Sequence, residues 1–133
     1  MVSQVSEAML DVIADALVDK GYILLSDIIP DYVSLALLEK MQAQQDIDFK
    51  KAAIGRGIEQ QNNTEIRSDK ISWLDNQDHT DREYLSIMSQ LKDGLNRRLF
   101  MGLFDFESHY AVYEPGAFYK KHVDALHGSQ NRI

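Results

Sequence analysis

A histidine and an aspartate stand two residues apart near the end of the chain, within the stretch YEPGAFYKKHVDALHG at 113–128. Successive side chains of a β-strand point to opposite faces, so a strand would aim His122 and Asp124 at the same spot. A neutral imidazole and a carboxylate are two of the three protein ligands in the facial sites that hold non-haem Fe(II). The spacing therefore makes His122 and Asp124 candidate ligands of one divalent metal ion.

The spacing alone is a weak signal, because the chain holds four histidines and 21 acidic residues, and such pairs also arise by chance. The alternative is an exposed histidine beside an exposed aspartate in a loop. His127 is a further candidate ligand, but a turn would have to fold it back onto the metal. His79 and His109 lack a partner at a ligand spacing, and we expect both to be structural or exposed.

His122 and Asp124 can share one metal ion in this way only if they lie on a β-strand. The aromatic segments at 106–113 and 118–123 alternate as strands do, and EPGA at 114–117 predicts a turn between them. The segment EIRSDKISWL at 65–74 alternates in the same way and predicts another strand. A short apolar run at 22–29 predicts a buried strand and a turn near the start of the chain.

Three helices are expected ahead of the C-terminal strands. Residues 5–18 carry one apolar face and end before Gly21, and a second helix begins at Pro30, whose ring suits a first helical turn. Thr80 and Glu83 form a T-x-x-E capping box in front of the third helix. The apolar stripe of this third helix consists of Leu85, Met88, Leu91, Leu95 and Leu99. Helices followed by strands indicate an α+β fold, with the N-terminal helices packed on one face of an antiparallel sheet.

Length and composition limit the function classes. The chain has 133 residues, the size of one ordinary domain, so we expect 1–133 to form a single domain. The formal net charge is −7 and the basic residues are scattered, which argues against a nucleic-acid partner. The absence of cysteine excludes disulfides and thiolate chemistry. Without a signal peptide or an apolar stretch of membrane-spanning length, we expect a cytoplasmic protein with no membrane contact.

Two stretches resemble the Fe(II)/2-oxoglutarate-dependent dioxygenases of the prolyl-4-hydroxylase branch, which includes the oxygen-sensing prolyl hydroxylases and their bacterial relatives. HYAVYEPGAFYKKHVDALHGSQNRI follows the pattern Y-x-P-G-x-x-Y-x-x-H-x-D and then an arginine, and IRSDKISWL at 66–74 resembles R-x-D-K-I-x-W-[LI]. The two segments come in the family order with a long helix between them. Two independent matches are far more specific than either one alone.

The resemblance implies roles for the residues near the metal. His122 and Asp124 correspond to the first two iron ligands. Tyr113 corresponds to a tyrosine whose hydroxyl reaches the 2-oxoglutarate, and an aromatic side chain in the barrel core is the alternative. The implied cofactor is Fe(II), with 2-oxoglutarate as co-substrate and ascorbate as an optional helper.

The resemblance also implies a substrate side. Tyr119 corresponds to an aromatic that lines the pocket near the substrate, with packing as the favoured alternative. Arg67 and Asp69 correspond to a charged pair on the substrate-entry side, and a solvated ion pair that fixes the loop is the favoured alternative. The implied substrate is a peptidyl-proline, with a small molecule as the other option.

The implied fold is the first part of a double-stranded β-helix, or jelly-roll barrel, in truncated form. In this family a second histidine, followed by a lysine or arginine that binds 2-oxoglutarate, comes later than Ile133. We therefore expect the chain to be the N-terminal part of a longer dioxygenase and to be inactive alone. Strand edges left unpaired predict a homo-oligomer. The alternative function is a non-catalytic, dioxygenase-like interaction or regulatory module.

Overall fold

The computed structural model describes residues 3–43, 50–51 and 68–122, with the backbone alone at 50–51. Within these ranges it contains helices and an antiparallel sheet, so the α+β class predicted from the sequence is confirmed. In chain order the elements are α1 (Glu7–Asp19), α2 (Asp31–Ala43), β1 (Lys50–Lys51), β2 (Lys70–Trp73), α3 (His79–Leu99) and β3 (His109–Val112).

The chain divides into two compact units, each built from two stretches of sequence. The helix unit comprises Met1–Ala43 and Leu74–Ser108, and the sheet unit comprises Gln44–Trp73 and His109–Ile133. No helix in the described ranges combines the length and hydrophobicity that a bilayer span requires. The single domain expected from the chain length stays a prediction, as does the packing of the helices on the sheet.

Ser6 begins α1 as its N-cap. Its hydroxyl accepts a hydrogen bond from the backbone N–H of Met9 at 3.1 Å, which satisfies one of the donors that a helix start leaves open. The helix ends at Asp19, and Gly21 follows with a φ of 83°, a left-handed conformation that glycine adopts without strain. The helix predicted at 5–18 is thus confirmed. Its buried residues are Leu10, Ile13 and Ala14.

The helix predicted from Pro30 is confirmed, but it begins one residue later, and Pro30 stands directly before α2. Its carbonyl oxygen accepts hydrogen bonds from the N–H groups of Val33 and Ser34 at 3.0 and 3.1 Å, and Val33 is buried. The strand predicted at 22–29 is wrong, because this segment is irregular in the structure. Leu24 is 90% exposed, so the apolar run does not gain the burial that would have favoured a strand.

The N-cap of α3 is Asp78, and the capping box predicted at Thr80 and Glu83 is wrong. The Asp78 side chain accepts a hydrogen bond from the backbone N–H of Asp81 at 3.0 Å. The helix begins at His79, so Thr80 already lies inside its first turn. An aspartate caps a helix start at least as well as a threonine, which explains why the earlier position is used.

Asp81 is fully buried, with 0% exposure, and it joins α3 to α2. Its Oδ2 accepts hydrogen bonds from Lys40 Nζ at 2.6 Å and from the backbone N–H of Asp75 at 3.0 Å. Lys40 Nζ also lies 3.4 Å from Oδ2 of Asp78. Taking a carboxylate out of water is costly, and these donors offset that cost. The geometry therefore ties the position of α2 to the first turn of α3.

α1 and α3 pack closely at Gly94. A Cβ atom at this position would lie 2.6 Å from both Cδ atoms of Leu10, which is buried. Gly94 and Ile87 are buried although neither belongs to the stripe predicted from sequence, while Leu85 of that stripe is buried as expected. Glycine is therefore required here by the approach of the neighbouring helix.

Charged side chains also link α1 to α3. Arg98 forms ion pairs with Glu7 and with Asp11, where Nε lies 2.7 Å from Oδ1. Hydrogen bonding to Arg98 lowers the pKa of Glu7, and hydrogen bonding to Glu7 and Asp11 raises the pKa of Arg98. Because the Glu7 and Asp11 carboxylates are exposed, such pairs contribute little to stability.

The sheet unit contains an antiparallel sheet with the strand order β1-β2-β3. Lys50 pairs with Ile71, and the β2–β3 register runs from Lys70 opposite Val112 to Trp73 opposite His109. The strands predicted at 65–74 and 106–113 are confirmed within the described residues, in shorter form. The buried side chains of this sheet include Ile71 and Tyr110.

Gly94→Ala is expected to destabilise the protein by about 1–3 kcal/mol, because the added methyl group must displace Leu10 in a filled core. Where a helix has free space, the same change stabilises by about 1 kcal/mol. Urea unfolding measures the difference. The double variant with Leu10→Ala should lose less stability than the sum of the single variants, and strict additivity would contradict the close contact.

Asp78→Ala should lower the free energy of unfolding by about 1 kcal/mol, because α3 loses its N-cap. Asp78→Asn is the matched control, since the amide oxygen keeps the cap while the charge is lost. The hydrogen bond from the Asp81 N–H lowers the pKa of Asp78 from its ordinary value of 3.8. A carboxyl group whose pKa is lower in the folded state stabilises that state at pH values above its unfolded pKa. This contribution disappears as the pH falls through the folded-state pKa.

The stability difference between wild type and Asp78→Ala should therefore shrink as the pH falls below 3.8. Urea unfolding at a series of pH values measures it. A difference that stays constant in acid would contradict the role of the Asp78 carboxylate.

Candidate metal centre

The two motif-bearing segments are neighbours in the sheet unit. β2 comes from the segment IRSDKISWL and β3 from the segment HYAVYEPGAFYKKHVD, and the two strands pair antiparallel. The last residue pair of this register is Lys70 with Val112. Asp69 directly precedes Lys70, and Tyr113 directly follows Val112. These two candidate residues thus lie at the same end of the β2–β3 pair.

A tight turn follows Tyr113, at the predicted position 114–117. The backbone N–H of Ala117 donates to the carbonyl of Glu114 at 2.7 Å. Gly116 has a φ of 87°, a conformation that the third residue of such a turn needs and that favours glycine. The turn reverses the chain before the segment that carries His122.

Ser68 holds that returning segment beside the start of β2. Its backbone N–H donates to the carbonyl of Phe118, and its hydroxyl accepts from the Phe118 N–H, both at 2.9 Å. Tyr119 follows as a single bridge residue. These bonds anchor the chain at Phe118, four residues before His122.

His122 is exposed, and its ring makes a hydrogen bond and a stacking contact within its own loop. Nδ1 lies 2.8 Å from the carbonyl oxygen of Lys120. The ring stacks on Tyr119, with centroids 3.8 Å apart and planes 6° apart. A carbonyl oxygen only accepts, so Nδ1 carries a hydrogen, and in the neutral ring the lone pair is then on Nε2. Metal-bound histidines typically donate their other ring N–H in this way, so His122 fits a metal ligand that binds through Nε2.

The predicted partner of His122 lies outside the described residues. Asp124, Arg67 and His127 all fall there, so the joint aim of residues 122 and 124 stays a prediction. Within residues 3–43 and 68–122, no three acidic or histidine side chains form a group that could hold a metal ion.

The strand predicted at 118–123 is wrong for its described part, which pairs only at Tyr119. His122 lies beyond the paired residue. Its side chain uses the Lys120 carbonyl, an acceptor that a strand ladder would otherwise occupy, and such local bonds compete with sheet pairing.

Tyr113 and Asp69 differ strongly in exposure. Tyr113 is 48% exposed, which does not fit a fully buried aromatic in a barrel core. Asp69 is only 2% exposed, so the solvated ion pair considered for it does not apply. A carboxylate shielded from water interacts more strongly with its neighbours than one at the surface. Both roles toward co-substrate and substrate stay predictions.

The remaining histidines behave as expected. His79 is exposed at the start of α3, and His109 is exposed on β3. The ring of His109 meets Trp73 edge-on, with centroids 5.2 Å apart and planes at 90°. Edge-to-face contacts of this kind are favourable between aromatic rings.

Sequence reasoning missed two groups in the surroundings of His122: Ser68, which holds the backbone of Phe118, and the Lys120 carbonyl, which bonds the His122 ring. Ser68 stands inside the recognised R-S-D-K segment, but a serine hydroxyl carries no signal for its partner 50 residues away. The Lys120 group is a backbone carbonyl, and the identity of the lysine side chain gives no sign of what that carbonyl bonds. Only the pairing of the two segments could have indicated the Ser68 contact.

No protein-family model and no curated protein matches the chain. Among solved structures, a prolyl-4-hydroxylase from Pseudomonas putida matches with a TM-score of 0.72 and 36% sequence identity. The chain is a relative of this prolyl-4-hydroxylase. The match covers 87% of this chain and 61% of the Pseudomonas chain, so the sequence spans less than two thirds of its relative. The resemblance predicted from the sequence is thereby confirmed.

Ser68→Ala is expected to loosen the segment before His122, because the Phe118 N–H loses its acceptor. A hydrogen bond of this kind contributes about 0.5–1.5 kcal/mol. Hydrogen exchange of the Phe118 amide should accelerate in the variant, as measured by NMR. Ser72→Ala, within β2, is the control and should leave that amide unchanged. Equal exchange in wild type and Ser68→Ala would show that the hydroxyl does not hold the segment.

Proposed function

We propose that this chain forms the iron-binding part of an Fe(II)/2-oxoglutarate-dependent dioxygenase, which in its complete form is a prolyl hydroxylase-like enzyme. One observation carries the proposal: β2 and β3, which pair antiparallel, come from the two segments that separately resemble this family. The 36% identity to the Pseudomonas putida prolyl-4-hydroxylase supports it. Chance matches would have no reason to be neighbours in the fold.

The proposed metal ligands are His122, through Nε2, and Asp124. The hydrogen bond from Nδ1 to the Lys120 carbonyl supports the choice of nitrogen, because it favours the neutral tautomer whose lone pair is on Nε2. A third ligand would come from a second histidine of the complete protein. When bound, Fe(II) would supply dioxygen activation, with 2-oxoglutarate converted to succinate and CO₂ as one oxygen atom enters a substrate C–H bond.

The remaining proposed roles belong to residues of the two segments that resemble the family. Tyr113 would direct its hydroxyl to 2-oxoglutarate, and its partial exposure supports access to a ligand. Arg67, Asp69 and Tyr119 would lie on the substrate side. The burial of Asp69 supports a positioning role, because a shielded carboxylate holds a neighbouring donor firmly.

The proposed substrate is a prolyl residue in a peptide or protein. The support is the name of the Pseudomonas relative, a prolyl-4-hydroxylase. A free small molecule is the competing substrate, and product analysis separates the two.

His122→Ala and Asp124→Ala should each abolish stoichiometric binding of Co(II), used anaerobically as a spectroscopic substitute for Fe(II), because a facial site cannot spare a ligand. Absorption titration of the complete gene product measures it. His79→Ala is the matched control and should bind as wild type does. Stoichiometric metal in the Asp124→Ala variant would refute the assignment.

The complete gene product should also convert 2-oxoglutarate to succinate in the presence of Fe(II), and faster with a proline-containing peptide than without it. Mass spectrometry would locate an added oxygen on the proline. Metal binding without any turnover would favour the regulatory module, and turnover with free amino acids alone would favour a small-molecule substrate.

A further inference from the structure

His122 occupies a position where little would be expected to fix its ring. The residue is exposed, and it follows Tyr119, the last bridged position among the residues that the structure describes. Exposed side chains change rotamer on the picosecond to nanosecond timescale. A metal ligand that must first be ordered binds more weakly than one already in place. The local contacts of the ring therefore decide how well His122 is prepared.

The hydrogen bond fixes one edge of the ring. Nδ1 donates to the Lys120 carbonyl at 2.8 Å, which selects the tautomer with the lone pair on Nε2. A hydrogen bond at one edge still allows the ring to tilt about that bond. A second contact is needed to define the plane.

Tyr119 supplies that second contact. Its ring lies parallel to the imidazole within 6°, with centroids 3.8 Å apart, so the imidazole can tilt toward Tyr119 only by clashing with it. Tyr119 is itself held, because the neighbouring Phe118 is bonded twice to Ser68. The support thus runs from β2 through the Ser68 bonds to Tyr119 and on to His122.

We propose that Tyr119 is a positioning residue for His122: its ring, together with the Lys120 carbonyl, holds the imidazole in one plane and one tautomer with Nε2 presented to the metal. The inference rests on the proposed function for the identity of the ligand, and it gives Tyr119 a role distinct from lining a substrate pocket. The phenol ring carries the effect, and the hydroxyl is not required.

The first test uses the metal-free protein and two variants. Tyr119→Phe keeps the ring, and Tyr119→Leu keeps bulk but removes the flat face. Long-range proton–nitrogen NMR spectra of neutral His122 should show the hydrogen on Nδ1 in wild type and in Tyr119→Phe. In Tyr119→Leu the His122 ring signals should show averaging between orientations. An Nε2–H tautomer in wild type, or identical His122 signals in Tyr119→Leu, would overturn the proposal.

The second test is anaerobic Co(II) titration of the complete gene product. Tyr119→Leu should weaken binding roughly three- to tenfold, the size expected from losing one aromatic contact, and Tyr119→Phe should change it by less than about twofold. Wild-type affinity in Tyr119→Leu would overturn the positioning role. A deficit of equal size in both variants would also overturn it, because the hydroxyl would then be responsible.

The two measurements separate this inference from the function it rests on. If His122→Ala binds Co(II) as wild type does, the proposed metal site fails, whatever Tyr119 does. If His122→Ala loses the metal while Tyr119→Leu keeps it fully, the metal site stands and the positioning role fails. Hydrogen exchange across β2 and β3, compared with wild type, checks that the His122→Ala and Tyr119→Leu variants are still folded.

Discussion

The antiparallel pairing of β2 with β3 is the constraint on which the candidate site depends. It sets Asp69 and Tyr113 at one end of the strand pair and lets Ser68 bind the backbone of Phe118. More than thirty residues, including all of α3, separate the two strands along the chain. Pairing segments so distant costs loop-closure entropy, which the ladder and its buried side chains must offset. A site assembled in this way exists only when the sheet unit is folded.

In the helix unit, the main constraint is a buried charged group. Asp81 lies in the interior, where Lys40 and the Asp75 backbone satisfy it. Removing one member of such a group leaves the other buried without compensation, so the group specifies one arrangement of α2 against α3. Gly94 specifies the approach of α1 in a complementary way, because only the absence of a side chain admits Leu10.

Apolar periodicity and the positions of glycine and proline predicted the helices, the strands at 65–74 and 106–113, and the turn at Gly116. These features depend on residues that are close in sequence. The misses arose where tertiary context decides. The apolar run near Leu24 found no partner to bury it. Asp78 displaced the Thr80 cap because the helix began earlier. The motif residues of the candidate site could be predicted from their types and spacing. The Ser68 bonds, the Lys120 carbonyl and the stack on Tyr119 could not, since each depends on how the backbone folds.

Trp73 is the only tryptophan of the chain, and it belongs to the sheet unit, where His109 meets it edge-on. The described helices all belong to the other unit. Indole fluorescence and helical ellipticity therefore report on different halves of the molecule without any label. A denaturation series followed by both signals would reveal whether the halves unfold in one transition or in two.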